Sequence, residues 1–467
     1  MNHNINSRKC YNYSAWIFIL LIFTLLTSCK KDWLDAKPDN NLVVPTTISD
    51  MQALLDNNSI FNYGNSSIGE NSTDDYFYST TGFNSIDITL QSEYTWQKDI
   101  PVFSGGAFPD WQNPYTQILY TNLALEGIQK ILPTIATQSS WNNVYGSALY
   151  YRATAFFNLC EAFTMPYDVN NSNSGYGIPL KLTSDVNIKV SRGTIQQTYA
   201  EIIKEYKQAL NYLQQLPLAG NLQRPSKSAA YGMLARVYLS MNDFKNAYLF
   251  SDSCLQIKNT LIDYNSLDTS KSTPVTYPNS EIINDYILSS DGGNPELSCY
   301  VDSTLYKSYN ANDLRKFVFF KSFDGTGYQF RGNYTSFFIV WQGGVTVDEM
   351  FLTRAECNAR LGNVQDAMAD LNTLLVKRWK TGTFVKYTAT NNVDALNQIL
   401  VERRKELIFR GTRWIDLRRL NQDPQYAITL TRNINGQVFT LPANDPRYAM
   451  PIPPNELLYN PIQQNPR

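Results

Sequence analysis

Apolar residues recur at the spacing of an α-helix along much of this chain. Thr194 and Gln197 have the spacing of a capping box, which predicts that one such helix begins directly after Thr194. The stretches 114–132 and 141–163 predict a further pair of helices. The pattern therefore indicates a mainly α-helical protein. Its clearest apolar stripe consists of Tyr199, Ile202, Ile203, Tyr206, Leu210 and Leu213.

Two segments predict helix pairs of the tetratricopeptide type. Ala235 and Ala247 have the spacing at which small residues let two antiparallel helices pack closely, and Ala355 and Ala367 repeat it. Ordinary antiparallel helix pairs are the alternative. Because stacked helix pairs bury their faces against one another, we expect a superhelical scaffold over about 111–258 and 347–467.

The segments of about 60–110 and 259–345 lack helical periodicity and are rich in Gly, Asn, Ser and aromatic residues. The runs 316–320 and 337–340 have the composition of short β-strands. Long irregular segments in a compact protein are often functional, and insertions on a helical-repeat scaffold collect on one face. We therefore expect these two segments to form a ligand-binding face.

The N-terminus predicts an export signal with a lipid anchor. Arg8 and Lys9 precede a short apolar run, 15–26, whereas a membrane-spanning helix takes about 20 residues. The run ends in Leu-Thr-Ser before Cys29, which resembles a bacterial lipobox; an ordinary signal peptide is the alternative. We expect residues 1–28 to be removed and Cys29 to be acylated, which leaves 29–467 as a single domain.

Charge and side-chain chemistry narrow the function classes. The formal net charge is −1, or −3 without residues 1–28, which is too close to neutral to favour nucleic acid. The only histidine is His3, so the rest of the chain lacks Ser-His-Asp catalysis and histidine ligands for metals. We predict no cofactor and no resident metal. Spacing leaves open whether a disulfide forms among Cys160, Cys254, Cys299 and Cys357.

The most distinctive stretch is 402–420, ERRKELIFRGTRWIDLRRL, in which cationic and acidic side chains alternate around an apolar seam. It predicts two short amphipathic helices, with Gly411 ending the first and Thr412 capping the second. We interpret the stretch as a structural packing element rather than a nucleic-acid-binding helix. The pairs with the spacing of facing helical residues are Glu406 with Arg410 and Arg413 with Asp416.

This stretch resembles the C-terminal signature of the SusD/RagB family, the outer-membrane nutrient-binding lipoproteins of Bacteroidetes. The resemblance implies a SusD-like, tetratricopeptide-like helical superhelix with an irregular ligand face. It also implies a cell-surface lipoprotein without catalytic activity, which captures oligosaccharide for a SusC-like TonB-dependent transporter. Segments that resemble the family in the same order are 29–35, 71–76, 93–96, 111–125, 151–163, 177–180, 349–378, 450–453 and 464–465.

Three other functions stay open from the sequence. The ligand of a RagB-type import component would be a peptide. A glycosidase would need two carboxylates facing each other across a cleft, and sequence alone does not exclude such a pair. An interaction scaffold would use its helical repeats to bind another protein. A groove of exposed aromatic residues would favour ligand capture over the scaffold.

Candidate ligand-binding residues follow from how sugars bind. A sugar ring stacks its apolar face on an aromatic plane, while carboxylates and amides bind its hydroxyls. Trp96 is the first candidate, because its position resembles that of a stacking tryptophan in the family. Tyr328 and Trp341 lie beside glycines, which let the backbone expose a ring. Asp75 and Tyr76 would orient hydroxyls or bind Ca²⁺. A place in the core or in a turn is the alternative for each.

Overall fold

The computed structural model describes residues 45–102, 106, 108–217, 221–288, 299–335 and 340–467. Cys29, the predicted export signal and most of the predicted strand 337–340 lie outside these residues. In the part described, no helix is both long and apolar enough to cross a membrane. Residues 47–467 form one compact unit.

Helices dominate the regular secondary structure of this unit, as the periodicity predicts. The helices α6 and α7, α9 and α10, and α13 and α14 pack as neighbouring pairs, and α13 also packs against α10 and α15. The helices are α1 Ile48–Leu55, α2 Asn58–Phe61, α3 Ile68–Asn71, α4 Thr80–Ser85, α5 Ile88–Tyr94, α6 Pro109–Ile128, α7 Gln138–Phe163, α8 Ile195–Ala209, α9 Lys227–Ser240, α10 Phe244–Ile257, α11 Ser303–Ser308, α12 Arg315–Val318, α13 Val347–Arg360, α14 Val364–Leu375, α15 Asn392–Glu406, α16 Arg413–Leu420 and α17 Pro454–Tyr459.

The helix start predicted at Thr194 is confirmed. The Thr194 hydroxyl accepts a hydrogen bond from the Gln197 backbone amide at 3.1 Å, and the Gln197 side chain accepts one from the Thr194 amide at 2.9 Å. The two alanine pairs of the predicted repeats are fully buried between their helices. Small side chains at these positions therefore allow the close helix packing that builds the scaffold.

Short antiparallel strand pairs lie in and around the irregular segments. The prediction of a strand at 316–320 is wrong for residues 316–319, because residues 315–318 form helix α12, in which the Arg315 guanidinium is buried against Asp313 and Glu402. Strand β6 begins only at Phe320. The pairs are β1 Tyr76–Tyr78 with β5 Cys299–Val301, β2 Tyr176–Pro179 with β3 Arg192–Thr194, β4 Ile287–Leu288 with β8 Trp341–Gln342, β6 Phe320–Phe323 with β7 Gly327–Phe330, and β9 Leu430–Ile434 with β10 Gln437–Leu441.

The stretch 402–420 is a buried ionic hub, in agreement with a packing role. Neither of its two predicted side-chain pairs forms an ion pair. Helix α15 ends at Glu406, before Arg410, and the Arg413 guanidinium of α16 binds Asp74 rather than Asp416. Glu406 instead accepts hydrogen bonds from Arg315 and Arg378. Asp416 accepts from Arg403 and Arg419.

The predicted cap of the second helix in this stretch is also wrong. Thr412 occupies the N-cap position of α16, but its side chain makes no capping hydrogen bond. Its φ of −101° and ψ of −23° are helical rather than extended. An N-cap residue normally has extended backbone angles, which direct its side-chain oxygen towards the free amides of the first turn.

Candidate ligand-binding site

An aromatic stack is built where the two irregular segments pair. Strand β1 brings Phe77 opposite Tyr300 of β5, and the two rings stack with centroids 5.2 Å apart and planes 18° from parallel. Phe323 of β6 lies 5.4 Å from the Tyr300 ring. Phe77 keeps 37% of its surface exposed, while its strand neighbours Tyr76 and Tyr78 point into the core. Strand alternation thus places one set of rings outside and the other inside.

The hairpin between β6 and β7 adds a carboxylate to this stack. Its tip is Asp324-Gly325, with φ of +48° and +77°, the left-handed pair that a type I′ turn requires. The Tyr300 hydroxyl donates to Asp324 Oδ2 at 2.5 Å, and the Thr326 amide donates to Asp324 Oδ1 at 3.1 Å. Phe77, Tyr300, Phe323 and Asp324 therefore form one surface, the hairpin platform.

Hydrogen bonds shift the pKa values of two side chains on the hairpin platform. The hydrogen bonds from Thr326 and Tyr300 lower the pKa of Asp324, whose side chain is exposed. The same bond to Asp324 raises the pKa of Tyr300. Asp324 is therefore anionic at neutral pH and lies at the edge of the rings. An apolar ring face beside a charged acceptor suits a ligand with C–H faces and hydroxyl donors.

Tyr328, the one predicted ligand residue that keeps a partly open ring, lies on the other face of the same hairpin. It pairs with Ser322 across β6 and β7, whereas Gly327 pairs with Phe323 on the platform side. The Tyr328 ring stacks on Tyr306 at 3.6 Å. The hairpin thus separates Tyr328 from the platform.

The two predicted stacking tryptophans are core residues. Trp96 is 2% exposed, its Nε1 donates to the Ser72 carbonyl at 2.9 Å, and the Arg432 guanidinium lies 4.9 Å from its ring. Trp341 is 1% exposed and stacks on Phe409 at 5.1 Å. The expectation of exposed rings at both positions is wrong, because distant segments of the chain cover them.

The predicted ligand residues Asp75 and Tyr76 are also buried in the fold. Asp75 and Tyr76 are 1% and 2% exposed, and Asp75 accepts a hydrogen bond from Arg404 at 3.0 Å. The Tyr76 hydroxyl donates to the Asn71 carbonyl at 2.5 Å. Ligand contact and Ca²⁺ binding by this pair are therefore not supported. Across the described residues, no cluster of three or more acidic, Cys or His side chains is arranged to hold a metal.

A second concave surface is a cleft of about 1030 Å³ beside the loop 165–175. Its polar groups already bind one another: Gln422 donates to the Tyr167 carbonyl at 2.8 Å, and Asp243 caps the first turn of α10. Arg360 is held over the Phe244 ring at 4.5 Å. On the hairpin platform, Phe77 is 37% exposed, and Asp324 stays exposed although it accepts hydrogen bonds from Tyr300 and Thr326.

Sequence reasoning missed the members of the platform, although one signal was present. Asp324-Gly325-Thr326 stands between the runs Phe-Lys-Ser-Phe and Gly-Tyr-Gln-Phe, and an Asp-Gly pair between two such runs is a strong hairpin signal. The pairing of Phe77 with Tyr300 joins segments more than two hundred residues apart, and local patterns do not encode it. The four cysteines Cys160, Cys254, Cys299 and Cys357 are buried and free, so they form no disulfide in this structure.

Comparisons with known proteins agree with this architecture. A family model described as SusD-like, starch-binding and associating with the outer membrane matches residues 32–239, and the SusD family model matches residues 348–467. No curated protein sequence matches the chain.

One solved structure that resembles the chain is a SusD superfamily protein from Bacteroides thetaiotaomicron, with 21% identity over 90% of this chain and 100% of that chain and a TM-score of 0.67. A SusD-like carbohydrate binding protein from Bacteroides vulgatus has 19% identity over 89% and 97%, with a TM-score of 0.69. The surface glycan-binding protein A from Bacteroides uniformis has 17% identity over 90% and 99%, with a TM-score of 0.67. These similarities confirm the SusD-like helical fold that the sequence resemblance implied.

Proposed function

Since this chain belongs to the SusD/RagB family, we propose that it binds oligosaccharide on the hairpin platform. The observation that carries the proposal is the partly exposed ring stack of Phe77 and Tyr300 with the anionic Asp324 at its edge. A pyranose would stack on the rings and donate hydroxyl hydrogen bonds to the carboxylate. The similar carbohydrate-binding protein of Bacteroides vulgatus and glycan-binding protein of Bacteroides uniformis support this ligand class over a peptide.

The protein would act at the outer face of the outer membrane, anchored through an acylated Cys29. It would pass its ligand to a SusC-like TonB-dependent transporter and have no catalytic turnover of its own. The stacked helices offer an extended preformed surface for that partner, and a stable interface needs at least about 1,200 Å². Co-purification of both proteins from native membranes in mild detergent is the expected result. Recovery of this chain alone, from extracts in which the barrel is intact, would contradict the partnership.

The binding proposal is tested by replacing one platform ring. Tyr300→Ala removes the central ring of the stack and should weaken glycan binding by about 1–3 kcal/mol, the range measured for nucleobases stacked on aromatic side chains. Tyr459→Ala is the matched control, because Tyr459 is 79% exposed but lies in α17. A glycan array identifies a ligand, and isothermal titration then compares the two variants with the unmodified protein. Equal affinities in all three would exclude the platform as the site.

A further inference from the structure

The connection between α6 and α7 carries an uncovered apolar tip. Leu132 and Ile135 are 92% and 102% exposed, the two highest values among the large hydrophobic side chains of the described residues. Leu216, in the connection between α8 and α9, is 46% exposed. The second connection reaches the first turn of α7, since Gln214 Nε2 donates to the Ser139 hydroxyl at 3.3 Å. Fully exposed aliphatic side chains of this kind mark a contact with another molecule or a membrane.

Aromatic rings lie directly behind this tip. Trp141 Nε1 donates to the carbonyls of Ile128 and Ile131 at 3.0 and 2.9 Å, which fixes the start of the connection. The Trp141 ring stacks on Tyr145 at 5.0 Å, and Tyr212 packs against Tyr145 at 4.8 Å. Tryptophan and tyrosine are enriched at membrane–water interfaces, where aliphatic side chains lie deeper.

Charge at this end also suits a lipid surface. The sequence has no acidic residue between Glu126 and Glu161, and the connection itself carries the exposed Lys130. The stretch 210–217 is uncharged. An anionic membrane surface would therefore meet one lysine and no carboxylate from the first connection and the stretch 210–217.

The folded domain begins beside the same tip. Met51 of α1 lies against Gly127, so closely that a Cβ at that glycine would stand 2.1 Å from the Met51 Cε. Gln52 accepts a hydrogen bond from Asn143 Nδ2 at 2.8 Å. Helix α1 therefore contacts both helices that flank the connection. The sequence between Cys29 and α1 spans at most roughly 60 Å when fully extended.

We propose that Leu132, Ile135 and Leu216 insert into the lipid surface to which Cys29 anchors the protein. The inference rests on the lipid anchor of the proposed function. It adds a second membrane contact, which would set which end of the domain faces the bilayer. Two weak attachments together hold a protein to a membrane far better than either one alone.

Vesicle partitioning tests this contact independently of native acylation. A single acyl chain is coupled through a maleimide to Cys29 of the chain 29–467, whose other four cysteines are buried. One chain of this kind gives only marginal binding, so extra apolar contacts become measurable. Partitioning is measured on vesicles of phosphatidylethanolamine and phosphatidylglycerol. The loop variant is Leu132→Ser with Ile135→Ser, and the matched control is Val438→Ser with Leu458→Ser, which are 59% and 79% exposed.

The loop variant should partition about tenfold or more weakly than the unmodified chain, since it loses two aliphatic insertions, and the control should not change. All variants should keep their melting temperature, because the replaced side chains are exposed. Equal partitioning of the loop variant and the unmodified chain would overturn the proposal. If the loop variant partitions like the unmodified chain but no longer co-purifies with the transporter barrel, the apolar tip binds a protein partner instead of lipid. Absence of native acylation would contradict the anchor but leave this measurement unchanged.

Discussion

Arg413 binds Asp74 through two parallel hydrogen bonds, from Nε to Oδ1 at 2.7 Å and from Nη2 to Oδ2 at 2.9 Å. This pair ties the first turn of α16 to the irregular segment that leads into the hairpin platform strand β1. The two guanidiniums of Arg413 and Arg404 hold the pKa of Asp74 well below its usual range against the opposing effect of burial. The C-terminal stretch 402–420 thus holds in place the segment that leads into β1.

The buried part of this ionic hub should dominate stability. Arg378 is fully buried and binds Glu281 and Glu406 at 2.8 and 2.7 Å. Arg378→Ala leaves both carboxylates without this partner, so we expect a loss of about 3–5 kcal/mol in the free energy of unfolding. Lys204→Ala is the control, because its surface pair with Glu201 contributes at most about 1 kcal/mol. Urea denaturation distinguishes the two; losses of similar size would contradict the hub.

Glu70 should make stability depend on pH. Burial, and then the charge of Asp75, raise its pKa from 4.5 to about 8. Because the folded protein binds this proton more tightly than the unfolded chain does, Glu70 lowers stability progressively as pH rises from 4.5 to about 8. Glu70→Gln removes the titration and keeps an acceptor for the Gly411 amide, which now donates to Glu70 Oε2 at 2.9 Å. The variant should therefore gain stability relative to the unmodified protein across that interval. Thermal melts that differ by a constant amount at every pH would contradict this assignment.

Much of the scaffold was predictable, because helices are encoded locally. The capping box at Thr194 and the alanine pair Ala235 and Ala247 need only nearby residues to be recognised, and both predictions are confirmed. The exposure of aromatic residues in the irregular segments was not predictable, because it depends on residues that are distant in the sequence. Arg432 lies more than three hundred residues after Trp96 yet covers its ring. Pairing across such distances decides which rings stay exposed.

Trp96 is therefore expected to matter for stability rather than for ligand contact. Trp96→Ala removes a buried ring and a hydrogen bond to the Ser72 carbonyl, and should cost about 3–5 kcal/mol. Trp96→Phe keeps most of the volume and should cost less. Calorimetry gives both values, and glycan affinity per folded molecule should stay unchanged. Weaker binding in a Trp96→Ala protein of unchanged stability would restore Trp96 as a ligand residue.

Cys29 stays a prediction from the sequence, and fractionation tests it. Cys29→Ala removes the acceptor of the acyl chains, so the protein should move from the membrane fraction to the soluble fraction. Detergent-phase partitioning provides the measurement, and Cys160→Ala is the control because that thiol is buried in α7. If the Cys29→Ala protein still partitions with detergent while the unmodified protein carries no lipid by mass spectrometry, the anchor lies elsewhere.

Asp324 has two roles in the hairpin platform: it forms the turn, and it supplies the negative charge. Two substitutions distinguish these roles. Its φ of +48° belongs to the left-handed region, which asparagine tolerates and alanine does not favour. Asp324→Asn should keep the turn and the hydrogen bond from Tyr300 but lose the negative charge that would accept sugar hydroxyls. We expect glycan affinity to fall severalfold while the melting temperature hardly changes, since charged acceptors bind more strongly than neutral ones. Asp324→Ala should lose affinity and also lower the melting temperature, because the turn is strained. If the asparagine variant binds as tightly as the unmodified protein, the carboxylate serves the turn alone and the rings carry the binding.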